Sequence, residues 1–134
     1  MEMVLLEYGI MYLLGAVGYG ALELLWRGYT HWSMLLTGGF CLSVIHCIAT
    51  NSREKLWKQW VMSAAVITTA EFVVGCIVNL RLGWNVWDYS DRAVNLLGQI
   101  CPEFFCIWLV LSVFAVGGCR WAKKALFAKL RTRL

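Results

Sequence analysis

Residues 60–80 read WVMSAAVITTAEFVVGCIVNL, an unbroken apolar run whose only charged member is Glu71. At about 1.5 Å rise per residue, a helix of this length crosses the roughly 30 Å hydrocarbon core of a bilayer. No water-soluble core helix needs so long a stretch without a polar face. Outward from it, residues 4–26 and 104–121 have the same character, and 32–50 is nearly as long. The chain has 134 residues, 60% of them hydrophobic, with one proline and a mean hydropathy of +0.65. That is too apolar for a domain that must keep a polar shell in water. The expected fold is all-α, a bundle of four transmembrane helices forming a single transmembrane domain over residues 1–134. Glu2 and Glu7 stand where a signal peptide would carry basic residues, so the first stretch is expected to be a span.

Four spans put both termini on one side of the membrane. Arg53, Lys55 and Lys58, after the second span, fall on that side together with Arg120, Lys123, Lys124, Lys129, Arg131 and Arg133. Arg27, Arg81 and Arg92 fall on the other. Basic residues on short loops stay in the cytoplasm, so both termini are expected there, in a bacterial inner membrane. The basic tail, 122–134, mixes Lys and Arg with apolar residues and is expected to lie on the anionic lipid surface, not to bind nucleic acid.

The six cysteines lack tight metal-ligand spacing, and no cofactor or metal is expected. A P-loop, a G-x-S-x-G elbow and an H-E-x-x-H pair are all missing, so the chain is not expected to be an enzyme.

The residues that do not suit lipid carry most of the information. Gly9, Ala16, Gly20, Glu23 and Arg27 recur at helical spacing on the first span, and Ala64, Thr68, Glu71, Gly75 and Asn79 do so on the third. Gly39, Ser43, His46 and Thr50 form a shorter stripe on the second. The fourth span is bulky and apolar apart from Ser112. Small residues on such stripes let helix backbones approach closely. Glu71 lies deep in its span, where a charged carboxylate costs on the order of 3 kcal/mol, and no basic residue sits one turn away on its own helix. Its partner must come from another helix, water or a ligand. Glu23 and Arg27, four residues apart, are placed to pair on one helix face. Glu7 and His46 fall at similar depth and are able to pair.

Between the third and fourth spans, 81–103 reads RLGWNVWDYSDRAVNLLGQICPE. It is too polar and too aromatic for a simple connector, and Trp87, Asp88, Tyr89 and Asp91 are its candidate binding residues. Asp91 is positioned to cap a short interfacial helix running to Pro102. An ordered external loop packed over the bundle is the alternative.

The segments GYGALELLWRGYTHWS (18–33), TTAEFVVGCIVNLRLGWNVWDYS (68–90) and NLLGQICPEFFCIW (95–108) resemble the small bacterial membrane-protein family of type IV ABC-transporter permeases. The resemblance implies a polytopic membrane protein with a transport role and a separate ATPase subunit. It supplies no catalytic or substrate residues. A four-helix protomer is small for enclosing a solute path, so a homo-oligomer, with a dimer favoured, is expected. Three readings follow. In the first, the chain is a transport component whose substrate or ion path involves Glu23, Arg27, Glu71 and Asn79. In the second, it is a structural or regulatory subunit that binds another membrane protein or lipid through the external loop. In the third, it is a membrane enzyme using Asp88, Asp91 and Glu103 as acid and base groups.

Overall fold

The computed structural model describes residues 1–133, and residue 134 of the expected tail lies outside them. Four helices long and apolar enough to cross a membrane make up nearly all of it. Helix α1 runs Glu2–Arg27, α2 Trp32–Asn51 and α3 Leu56–Gly75, the last continued by a π-helical turn, Cys76–Arg81. Helix α4 runs Pro102–Ala122 and passes through π-helical Lys123–Phe127 into α5, Ala128–Arg133. Pro102 opens α4 at a position where its missing N–H costs no hydrogen bond. Both termini lie at one end of the bundle, called here the tail end. The 82–101 connection closes the other, the loop end.

Helix α2 is the hub, half of its apolar window buried against α1, α3 and α4. Its contact with α1 is made backbone to backbone. A Cβ at Gly38 would come within 2.8 Å of the Gly15 carbonyl oxygen, and one at Gly39 would strike the Tyr12 ring at 2.7 Å. Interhelical approach this close needs glycine on both sides. The expected small-residue face of α1 is therefore rotated. Gly9 is exposed and meets nothing within 4 Å, whereas Gly15, outside the predicted stripe, sits at the crossing. Residues 7, 11 and 15, one turn apart, form the buried face, and they put Glu7 inside.

Several hydroxyls of the spans are satisfied within their own helix, Thr68 being the one on the predicted stripes left without a partner among the described residues. Thr37, Ser43 and Thr50 on α2, and Ser112 on α4, each donate to the backbone carbonyl four residues earlier, which satisfies them within their own helix.

The tail is not a separate segment but continues α4 and packs in part against the bundle. After Gly118 it contains no glycine or proline, and Ala, Lys and Leu favour helix, so α4 runs on. Phe127 is then buried beside His46, with ring centroids 5.8 Å apart, and Lys123 Nζ donates to both oxygens of Glu7 at 2.6 and 2.9 Å. Glu7 also contacts His46 Nε2 at 2.6 Å, the pairing their depth made possible.

Of the two arrangements expected for 81–103, the ordered loop packed over the bundle is the one found, and the interfacial helix after Asp91 does not form. Leu97 and Gly98 both adopt positive φ, and the chain folds back on itself through an isolated Leu96–Ile100 bridge. The Tyr89 N–H donates to the Gly98 carbonyl at 2.7 Å, and the Gly98 N–H donates to Asn95 Oδ1 at 2.8 Å. Gly98 has φ +69°, and a Cβ there would lie 2.6 Å from Ser90 Oγ. Gly98→Ala is therefore expected to cost at least the backbone penalty of about 1–2 kcal/mol. Gly83→Ala, at φ +67° with nothing within 4 Å, costs the backbone term alone. Unfolding midpoints of the two variants in detergent, with Gly98→Ala the lower, test this.

Candidate functional site

Glu71 is fifteen residues into α3, about 22 Å from Leu56 and about 15 Å short of Arg81. Its side chain is buried at 4% exposure. Both carboxylate oxygens are held by neutral donors from other elements: Tyr89 OH donates to Oε1 and Trp108 Nε1 to Oε2, each at 2.9 Å. One donor comes from the loop and the other from α4, which answers where the partner of this carboxylate lies. Among the described residues no Lys, Arg or His forms an ion pair with it.

A turn and a half beyond Glu71 the helix widens into its π-helical stretch, a local distortion often found at functional sites. The widening presents Asn79 to the loop. Its Oδ1 accepts from the Val86 N–H at 2.7 Å and its Nδ2 donates to Gln99 Oε1 at 2.8 Å. The Trp87 indole donates to the Gln99 carbonyl at 3.0 Å, and Arg27 Nη1 donates to the Val86 carbonyl at 2.7 Å. Val86, Trp87 and Gln99 are all buried, so the loop is a fitted lid on the bundle. Burial pushes the Tyr89 phenol well above its ordinary pKa, with the adjacent Glu71 adding to the shift. It therefore stays protonated and able to donate.

Beneath this lid a partly open cavity of 110 Å³ lies between the four helices and the loop. Glu23, Arg27 and Glu71 line it, as do Trp87 and Tyr89. Glu23 and Arg27 form the expected ion pair. A second cavity of 160 Å³, mostly apolar, continues toward the tail end between Gly15, Gly38, Ile67 and Leu111. Tyr19, Met34 and Glu71 border both cavities. The largest groove, 800 Å³ along Tyr12, Phe40 and Val73, opens sideways between α2 and α3. It is apolar and contains no carboxylate, which suits contact with acyl chains and not the chemistry of the smaller chamber.

A four-helix architecture with a buried carboxylate under a loop lid describes many membrane proteins. The sequence narrows it: residues 21–134 match the model of the family described as Putative ABC-transporter type IV. The chain belongs to that family. No curated protein and no solved structure matches it. Membership together with four apolar helices makes this a multi-pass, transport-related membrane protein in a lipid bilayer.

Within this family member the predicted residues separate by position. Glu23, Arg27 and Glu71 converge on the chamber, whereas Asn79 buttresses the lid and does not line it. Trp87 and Tyr89 turn inward. Asp88 and Asp91 remain exposed, the first binding Ser90, whose two hydrogen bonds hold the Asp88 carboxyl below its usual pKa, and the second 4.0 Å from Arg92. Asp88, Asp91 and Glu103 are exposed and share no hydrogen bond with one another. Sequence reasoning missed Tyr19, Trp26, Phe104 and Trp108. The available signal was Trp108, whose indole N–H in an otherwise apolar span needs a buried acceptor.

Proposed function

We propose that this chain is a permease-like subunit or small oligomeric transporter, its residues 1–134 forming a single transmembrane domain in a bacterial inner membrane with both termini cytoplasmic. The observation that carries the reading is the position of Glu71, a buried carboxylate without a cation on the shared wall of two successive cavities. Intramembrane carboxylates are expensive, and in transporters they mark solute or ion sites where helices are interrupted near the midplane. Here the interruption is the π-helical end of α3. The nine basic residues at the tail end support cytoplasmic termini, and membership of the ABC-transporter family supports a separate ATPase subunit. A homodimer belongs to the same reading. Gly20, Gly39 and Gly75 already pack within the protomer, so Gly9, Gly18, Gly117 and Gly118, which meet nothing within 4 Å, are the small-residue positions left for it.

Purified protein in liposomes tests this directly. Wild type is expected to pass protons, cations or small solutes, and Glu71→Gln to remove that flux while remaining monodisperse, since an amide still fits between Tyr89 and Trp108. Unchanged flux in Glu71→Gln would overturn the assignment. Silence in both proteins would shift the reading to a regulatory subunit that acts through another membrane protein.

A further inference from the structure

The chamber wall is more specific than a polar site requires. Six aromatic side chains line it, those of Tyr19, Trp26, Trp87, Tyr89, Phe104 and Trp108. Tyr89 stacks on Phe104 with centroids 4.6 Å apart, and Trp108 lies 6.0 Å from both Phe104 and Tyr19. Trp26 meets Phe104 edge-on at 6.5 Å. Ring faces are negative, and several of them around one small cavity attract a cation once water is excluded.

The charges agree with the rings. Arg27 is matched to Glu23, which leaves Glu71 as the unmatched negative group. A metal ion would need several free oxygen ligands. Both Glu71 oxygens already accept hydrogen bonds from Tyr89 and Trp108, so the chamber is poorly equipped to replace a metal's hydration shell. An ammonium whose protons are replaced by methyl groups asks for no such ligands. It needs only apolar contact, ring faces and a nearby negative charge. Size sets the limit, because a cavity of about 150 Å³ holds benzene, and 110 Å³ therefore suits a ligand of about five heavy atoms.

We infer that the chamber binds a small alkylated ammonium group, its methyls against the aromatic rings and its charge facing Glu71. The inference rests on the transport site proposed above and names the class of ligand for it.

Binding of radiolabelled tetramethylammonium to the full-length protein in detergent is the test, with sodium chloride as competitor for charge without shape and tert-butanol for shape without charge. Saturable binding that neither competitor displaces is expected. Glu71→Gln should weaken it about tenfold or more, and Tyr19→Leu, which removes a ring and no charge, should weaken it comparably. Displacement by sodium or tert-butanol at similar concentration would overturn the inference, as would unchanged affinity in Tyr19→Leu, the variant that decides the matter if Glu71→Gln fails to fold. Tetramethylammonium binding without flux in liposomes would leave this ligand class standing and remove the transport reading. Flux that depends on Glu71 without tetramethylammonium binding would do the reverse.

Discussion

Gly38→Leu is expected to leave little or no folded protein. The Gly38 Cα lies against the backbone of Gly15, and its Cβ would fall 2.8 Å from a carbonyl oxygen that no rotamer change can move. Overpacking a tight core costs about 1–3 kcal/mol when flexible side chains yield. Here rigid backbone must yield instead, so α1 would have to leave α2, its main packing partner, and the chamber wall that α1 supplies would go with it. Gly9→Leu, on α1 and in open surroundings, is the control and is expected to leave the protomer folded, whether or not it disturbs the dimer. Monodisperse yield in detergent distinguishes the two. A well-folded Gly38→Leu protein would show that α1 is not seated on α2 as described.

Glu7→Ala is expected to have the second largest effect. Glu7 is buried beneath the helix ends and joins three elements through His46 on α2 and Lys123 beyond α4. Removing one member of a buried charged cluster costs about 3–5 kcal/mol, because the survivors keep their desolvation without their partner. His46 is fully buried and has no route to water, whereas Lys123 is more than a third exposed and can turn outward. The cost should therefore fall near the lower end, at about 3 kcal/mol. The visible result should be release of the C-terminal helix and exposure of Phe127, read as rapid trypsin cleavage at Lys124 and Lys129. Trypsin resistance equal to wild type would mean that the tail is held by apolar packing alone.

Much of the architecture could be read from the chain because hydropathy is a one-dimensional property. Four runs of suitable length, joined by two short turns and one long loop, force an up-and-down bundle with both ends together. Glu23, Arg27 and Glu71 were legible for the same reason, since a charge inside a span stands out wherever it points. The rest depends on rotation and on distance along the chain. Gly15 and Gly9 are both glycines in the same helix, and only the true crossing tells which one faces α2. Lys123 meets Glu7 across more than a hundred residues, so the tail looked like a surface segment when its partner was out of sight. Trp108, Phe104 and Tyr19 were hidden by being ordinary, because an aromatic residue in a span suits lipid as well as a binding wall. The loop misled differently. Asp91 offers a plausible cap, but a pair of positive-φ residues at Leu97 and Gly98, which no periodicity reveals, turns the chain before a helix can start.

Sixteen residues of α1, about 24 Å of helix, separate Glu7 from Glu23. Between those two levels lie the buried apolar residues Met11, Ile45, Ile67 and Val116, with the mostly apolar cavity of 160 Å³ beside them. Such a layer behaves as the dielectric of a capacitor, and most of the membrane voltage falls across it. A single positive charge carried from the level of Glu71 to that of Glu7 would therefore gain or lose about 2.3 kcal/mol for each 100 mV, an energy comparable to a concentration gradient of roughly fiftyfold.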